Sequence, residues 1–213
     1  MISSKNGEAL PDNRPQPRPR GRPRGFRKDE SLETAMRIFW AEGYEAASID
    51  RLCRETRMPR ASLYQAYGGK EGLFLAAVAH YVATRIAPLA TALGPSGSLR
   101  QDLTAFFDEV ISLATCDPAT PGCLISCVLA DAAGTNATFR SELDKSFTAL
   151  EARIEARLHA DTWSDATTDM RSAARMLAAI ARGIMLRARS GAGKDELAPI
   201  AAAGIESVMR LRA

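Results

Sequence analysis

The stretch Ser48-Ile-Asp-Arg-Leu-Cys-Arg-Glu-Thr-Arg-Met58-Pro-Arg-Ala-Ser-Leu-Tyr-Gln-Ala-Tyr-Gly-Gly-Lys-Glu-Gly-Leu-Phe74 reads as two short helices and the opening of a third. Ser48 suits the N-cap of the first, because its hydroxyl accepts from the free N–H groups, and Asp50 complements the positive helix end. Ile49, Leu52 and Cys53 give that helix one apolar face, and it is expected to end near Thr56. Pro59 suits the first turn of the next helix, expected over residues 59–67 with Leu63 and Tyr67 four apart. Gly68-Gly69 breaks it. Residues 70–86 then form a longer apolar helix with Leu73, Phe74, Ala77, Val78 and Tyr81 inward.

Working outward, Leu32, Ala35, Met36 and Phe39 recur at helical spacing from Asp29 until Gly43 stops the helix. Downstream, Pro88, Gly94, Pro95 and Gly97 mark a loop, and further helices are expected over 99–115, 123–133, 137–160, 165–189 and 195–210. Val is scarce beside Ala, the strongest helix former, and no segment alternates as a strand would. The fold class is all-α, with about nine helices and no internal repeat. Three parts follow: a flexible basic Pro/Arg arm over 1–28, a three-helix unit over 29–74, and a helical remainder over 75–213.

With 213 residues, 46% hydrophobic and 25% charged, the chain buries a real core and is not disordered as a whole. Four Cys and 15 Gly exclude disulfide-rich and collagen-like scaffolds. No uninterrupted apolar run approaches the roughly 20 residues of a membrane span, and no apolar leader opens the chain. A cytoplasmic location with no membrane partner is the simplest expectation. The formal charge of +3 is unevenly spread: Asn13–Lys28 holds seven bases and no acid. Such a block meets a polyanion or serves as a solubilising tail.

Three short helices with a tight turn between the second and third have helix-turn-helix spacing, in which the third helix enters the DNA major groove. Arg60, Ser62, Tyr64 and Gln65 are hydrogen-bonding side chains on that helix, and Lys70 follows at the start of the next. At this point the resemblance is specific. The quoted run, with Ala35, Phe39 and Gly43-Tyr44 upstream, resembles the DNA-binding domain of the tetracycline-repressor (TetR) family over about 45 residues. The most distinctive part is Ser62-Leu63-Tyr64, Tyr67, Lys70-Glu71 and Leu73-Phe74.

The resemblance implies a DNA-binding transcriptional regulator, a ligand- or stress-responsive repressor that binds a palindromic double-stranded operator as a homodimer through its last two helices. Tyr64 and Lys70 match phosphate-gripping positions, and Ser48 matches a hydroxyl that caps its helix and can touch phosphate. Arg60, Ala61 and Gln65 match positions that read bases, with Ser62 beside them. Two residues depart from the pattern: Arg57 stands where Gly is usual in the turn, and Gly69 where Ser or Asn caps the fourth helix. The family's general mechanism implies a ligand pocket among the middle helices, for which Phe106, Phe107, Val110, Cys123, Cys127, Phe147, Leu150 and Trp163 are candidates. An unknown small-molecule effector is the implied partner.

Other features stand apart from the resemblance. Pro19-Arg20-Gly21-Arg22-Pro23-Arg24 contains Arg-Gly-Arg-Pro, like the core of an AT-hook, so Arg20, Arg22 and Arg24 are candidates for an A·T-rich minor groove; a nonspecific phosphate-binding arm is the plain alternative. Cys116, Cys123 and Cys127 lie within twelve residues, with Cys123 expected near a helix N-terminus that favours a thiolate. They suggest a redox, electrophile or soft-metal sensor, or simply buried apolar side chains. His80 and His159 make no ligand pair with them, so no metal and no cofactor is expected. Catalytic motifs are absent and the carboxylates read as solvent-facing, as in Glu151/Arg153 and Glu155/Arg157, so no enzyme is expected. The alternatives are a nonspecific architectural DNA binder using its arm, or a helical thiol-dependent or small-molecule-binding protein or enzyme.

Overall fold

The computed structural model describes residues 24–163 and 169–212. Among them every regular element is helical, as the Ala-rich composition predicts. Helix α1 spans Arg24–Glu42, α2 Ile49–Glu55, and α3 Arg60–Tyr67. Helix α4, Lys70–Tyr81, runs through a π-helical turn at Val82–Ile86 into α5, Ala87–Ala92. Helix α6 is Leu99–Thr115; a second π turn, Leu124–Leu129, leads into the short α7, Ala130–Ala132. Helices α8, α9 and α10 are Ala137–His159, Met170–Arg189 and Lys194–Arg212.

Three boundaries differ from expectation, besides the helix expected over 165–189, which is seen from Met170 with residues 165–168 outside the described ones. Helix α1 begins at Arg24, inside the segment expected as arm, because Pro23 is the last residue there that cannot carry helix and the following Arg, Phe and Lys can. Pro88 lies inside a helix rather than in a loop. The π turn just before it bonds the Ala87 N–H to Val82 O, one residue wider than an α turn, and that opens room for a ring lacking an N–H. The third difference is at Cys123, which flanks the second π turn as its N-cap instead of beginning a helix.

The α4–α5 rod, Lys70–Ala92, is by length and hydropathy alone apolar enough to cross a membrane, which a reading for unbroken apolar runs overlooks. The apolar residues of its α4 part face partners inside the protein. Leu73, Phe74, Ala77, Val78 and Tyr81 are buried. Phe74 meets Phe39 of α1, Tyr44, and Phe139 of α8 at ring-centroid distances of 4.9, 5.0 and 5.1 Å. Two turns further on, Tyr81 packs edge-on against Trp40 of α1 at 5.0 Å. Offset and edge contacts of this kind add to the burial of large rings.

The two departures in the reading unit have local explanations. Arg57 adopts φ 54°, the left-handed region, at a cost of about 1 kcal/mol for a residue with a Cβ. The turn tolerates this because Thr56, buried, donates its hydroxyl to Leu52 O at 2.6 Å, and Met58 N–H bonds Cys53 O at 3.0 Å. Gly69 has φ 140° and ψ −164°, a region essentially reserved to glycine, so no Ser or Asn could cap α4 in this backbone.

A buried ion pair braces the other end of the molecule. Asp102 on α6 accepts from Arg157 Nε on α8 at 2.7 Å and from the Gly97 N–H at 3.0 Å, and both side chains are almost wholly enclosed. Arg157 is therefore not the solvated partner of Glu155 that the sequence suggested. Burial alone pushes the Asp102 carboxyl up, but the hydrogen bonds from Arg157 and Ser96, the Arg157 charge and the Gly97 N–H outweigh it and hold it below its ordinary value. A carboxyl lowered on folding stabilises the protein above its unfolded pKa of about 3.9 and loses that contribution as pH falls through the folded value. Asp102→Asn is expected to cost about 3 kcal/mol at neutral pH by stranding Arg157. Urea unfolding at stepped pH should show the gap between wild type and variant shrinking as the medium is acidified below that range.

Candidate nucleic-acid interface

Helix α3 is anchored by Leu63, which is fully buried. At 100° per residue, Ala61 and Gln65 lie about 160° from Leu63, on the outermost ridge of the helix. Arg60 and Tyr64 form one flank and Ser62 the other, and all five are exposed, Tyr64 by 44%. The helix is held at both ends. Met58–Pro59 feeds its start, with Leu63 N–H bonding Pro59 O at 3.0 Å, and Gly68 N–H closes its end on Tyr64 O at 2.8 Å. Behind it α4 approaches so closely that a Cβ on Gly72 would lie 1.8 Å from Tyr67 O, so this position admits only glycine. Sequence reading missed that constraint, since Gly72 breaks no helix and sits in no turn.

The flanking groups are placed by the same packing. Ser48 caps α2, its Oγ accepting from Arg51 N–H at 3.2 Å, and the residue is exposed, so its own hydroxyl proton is free to donate. Lys70 lies with Nζ 4.5 Å from the Tyr44 ring centroid and donates to Glu45 O at 3.1 Å. These contacts hold the ammonium at the α3 end of α4. Arg60 pairs with Asp50 at 3.0 Å, but both are largely exposed, and such a pair is worth little against a competing acceptor. The Ser62 flank borders an open groove whose walls carry Asp29, Glu30, Glu33 and Glu55 together with Lys28 and Arg57. Arg20 and Arg22 lie outside the described residues, and Arg24 is the first residue of α1.

A second feature lies behind this unit. A cavity of about 360 Å³ opens among α4–α5, α6, the second π turn, α8 and α9. Of the residues expected to line a pocket, Phe106, Val110, Cys123, Phe147 and Leu150 do so. Phe107, Cys127 and Trp163 do not, and Cys116 of the cysteine cluster lies away from it. Phe107 is core, Cys116 is exposed at the end of α6, and Trp163 donates Nε1 to Leu158 O at 2.8 Å. The four cysteines are free thiols, and among the described residues no cluster of metal-ligating groups forms. Cys123 is buried and accepts from the Tyr81 hydroxyl at 3.2 Å. Burial pushes the Cys127 thiol up, against the reactivity expected of a sensor. Glu151 likewise pairs with Arg182 and Arg175 rather than with Arg153.

Residues 32–77 match the model of the bacterial regulatory proteins, tetR family. The HTH-type transcriptional repressor ComR of Escherichia coli (strain K12) is 28% identical over 184 residues, covering 83% of this chain and 86% of that protein. A cysteine-substituted form of the TetR family transcriptional regulator CifR, solved with 26-base-pair operator DNA, superposes with a TM-score of 0.77 at 27% identity, over 87% of this chain and 98% of that one. Residues 32–77 therefore carry a tetR-type DNA-binding segment. A TetR-family regulator from Streptomyces coelicolor shares the fold at a TM-score of 0.76 and 23% identity, over 88% of this chain and 90% of its own. These relatives are named as regulators, not enzymes.

Within that family frame the ridge and the flank of α3 should separate on titration. Lys70→Ala is expected to weaken binding to all duplexes about equally and to reduce the salt slope by about one. Gln65→Ala should instead relax preference at particular base pairs, at about 1–3 kcal/mol. Fluorescence anisotropy on a selected site and on scrambled DNA at several salt concentrations measures both.

Proposed function

We propose that this protein is a DNA-binding transcriptional repressor that reads a palindromic operator as a homodimer and releases it when a small molecule enters the 360 Å³ cavity. The observation that carries the reading is the exposed Arg60, Ala61, Ser62, Tyr64 and Gln65 face of α3, set around buried Leu63, with Lys70 close behind. ComR is named as a repressor, and CifR binds operator DNA in its solved complex, which supports the assignment. Residues 29–74 act as the reading unit, to which the helical residues 24–28 add the start of α1, and residues 75–213 as the effector and dimer unit. On DNA, Ser48, Tyr64 and Lys70 hold phosphates while Arg60, Ala61, Ser62 and Gln65 meet base edges.

One helix connects the two sites. The α4–α5 rod carries Lys70 at its start and the cavity-lining Val82 and Ile86 in its π turn, about 18–24 Å apart at 1.5 Å per residue. Further ties bind the effector unit to α1 and α4. Arg189 on α9 donates to Trp40 O at 2.9 Å, Arg37 pairs with Asp117, and Asn136 at the head of α8 donates to Glu71 at 3.0 Å. A ligand that displaces the π turn therefore moves Lys70 and α3 with it. Coupling of 1–3 kcal/mol would change operator occupancy severalfold to a hundredfold.

The dimer face lies on the last two helices, α9 and α10. Ala173, Ala174, Ala178, Ala181 and Ala201 are buried within the chain's own core. What remains outward is a stripe of Met176, Ala179, Gly183 and Leu186 on α9, with Ile200, Ala203, Ser207 and Leu211 on α10. Leu186 is 53% exposed and Leu211 49%, large apolar surface that a partner copy would cover. Leu186→Glu is expected to yield a folded monomer that has lost operator affinity, seen together by sedimentation and anisotropy. A dimer that survives the substitution and still selects a site would remove α9 from the interface.

The arm adds affinity through Arg20, Arg22 and Arg24 in the minor groove beside each half-site. Deleting residues 1–23 should weaken binding and flatten its salt dependence, with the larger loss on sites flanked by A·T pairs. Competitor titration tests the whole reading: a specific repressor prefers its site by about 10³ or more, and an architectural binder does not.

A further inference from the structure

Arg57 sits in the turn between α2 and α3 with φ 54°, and among the described residues it is the one residue other than glycine with a positive φ. Glycine would take this conformation without strain, so a side chain here costs stability. Nothing inside the protein offsets that cost. The turn is closed by Arg57 N–H to Arg54 O at 3.3 Å, by Met58 N–H to Cys53 O at 3.0 Å and by the Thr56 hydroxyl to Leu52 O at 2.6 Å. Glycine could make the first of these bonds equally well. The Arg57 side chain is exposed, and among the described residues its guanidinium has no ion pair and no hydrogen bond. Strained residues of this kind cluster where a protein meets its ligand.

In a helix-turn-helix the N-terminal end of the reading helix enters the major groove. Arg57 precedes Arg60, the first residue of α3, by three residues, a span of at most about 11 Å. It shares the wall of the open groove with Ser62 and Gln65 of α3. A sugar–phosphate strand borders the major groove on each side of a helix lying in it. Tyr64 and Lys70 stand toward one of those strands, while on the Ser62 flank α3 itself carries no base. The acids of the groove do not claim Arg57. Glu33 is held by His80 and Arg85 at 3.1 and 2.6 Å, Glu55 by Arg54 at 3.1 Å, and neither Asp29 nor Glu30 pairs with it. Lys28, exposed on the same wall, adds a second positive charge.

We propose that Arg57 is a further DNA contact: its guanidinium binds a phosphate of the strand on the Ser62 flank of α3, opposite the strand met by Tyr64 and Lys70. This deepens the regulator reading above and rests on it. Guanidinium meets phosphate oxygens with paired N–H donors, and each phosphate neutralised adds about 0.9 to the salt slope. The contact centres α3 between the two strands and carries no base preference of its own. The turn thus gives up some stability of the free protein for affinity on DNA.

The test is fluorescence anisotropy of the full chain, over a range of salt, on a duplex selected from a random pool and on a scrambled duplex of equal length. Arg57→Gly and Arg57→Asn both suit a left-handed turn and remove the charge. Each should weaken both duplexes alike, about fivefold per half-site at 0.15 M salt, and lower the salt slope by about one per half-site. Arg57→Lys should stay within about threefold of wild type. Thermal unfolding should give Arg57→Gly a Tm equal to or above that of wild type, because relief of strain meets or exceeds the added freedom of the unfolded chain. Affinity and stability then move apart, which a purely structural role would not produce. Unchanged affinity and slope in the Gly and Asn variants, a loss as large in the Lys variant, or weakening that accompanies a lower Tm in both uncharged variants overturns the proposal. A wild-type chain with no preference for its selected duplex loses the regulator reading. One that prefers it, with the Gly and Asn variants binding equally well, loses only the Arg57 contact.

Discussion

The packing of Phe74 against Phe39, Tyr44 and Phe139 is the contact on which the rest of the structure depends. These four rings come from α4, α1, the α1–α2 loop and α8, so one cluster joins the N-terminal helices to α8. It fixes the start of α4, and the start of α4 fixes α3, because Gly72 brings the two into backbone contact. Lys70 stands on the same first turn, over Tyr44. The interface side chains are therefore positioned by a core that contains no interface residue.

From that anchored end the helix runs on as a single rod into the cavity wall. A straight α-helix would transmit a push rigidly, but Pro88 prevents a regular helix here and the π turn at Val82–Ile86 absorbs the irregularity. The irregular turn is also the part of the rod that lines the cavity. Tyr81, immediately before it, touches both Trp40 of α1 and Cys123 of the opposite wall. Side-chain contact through Tyr81 thus links the cavity wall to α1, in addition to the link along α4.

Polar contacts divide by burial. The exposed pairs, such as Arg60–Asp50 and Arg54–Glu55, hold little energy and can yield to phosphate. Asp102 with Arg157 is enclosed, satisfied on both sides and remote from the DNA-facing helix, so it braces α6 against α8. Arg182 lies between these cases. It is paired through one nitrogen and unpaired through another, and it stands at the cavity.

The amino-acid sequence alone determined the all-helical class, the three short helices, the Ser48 cap and the tetR-type segment, because these rest on local signals: spacing of apolar residues, capping side chains and turn glycines. It also marked Arg57 as standing where the turn usually has Gly, and set the hydrogen-bonding side chains of α3 around the apolar Leu63, since one buried residue orients so short a helix. Only the tertiary structure decided which cysteine reaches the cavity, which alanines stay inside the chain, and that Arg157 and Glu151 find distant partners. Each of those depends on contacts between helices far apart in sequence, where a residue's type gives no sign of what it will face. The need for glycine at position 72 and the unmet Nε of Arg182 belong to the same group, since both exist only once two helices have closed on each other.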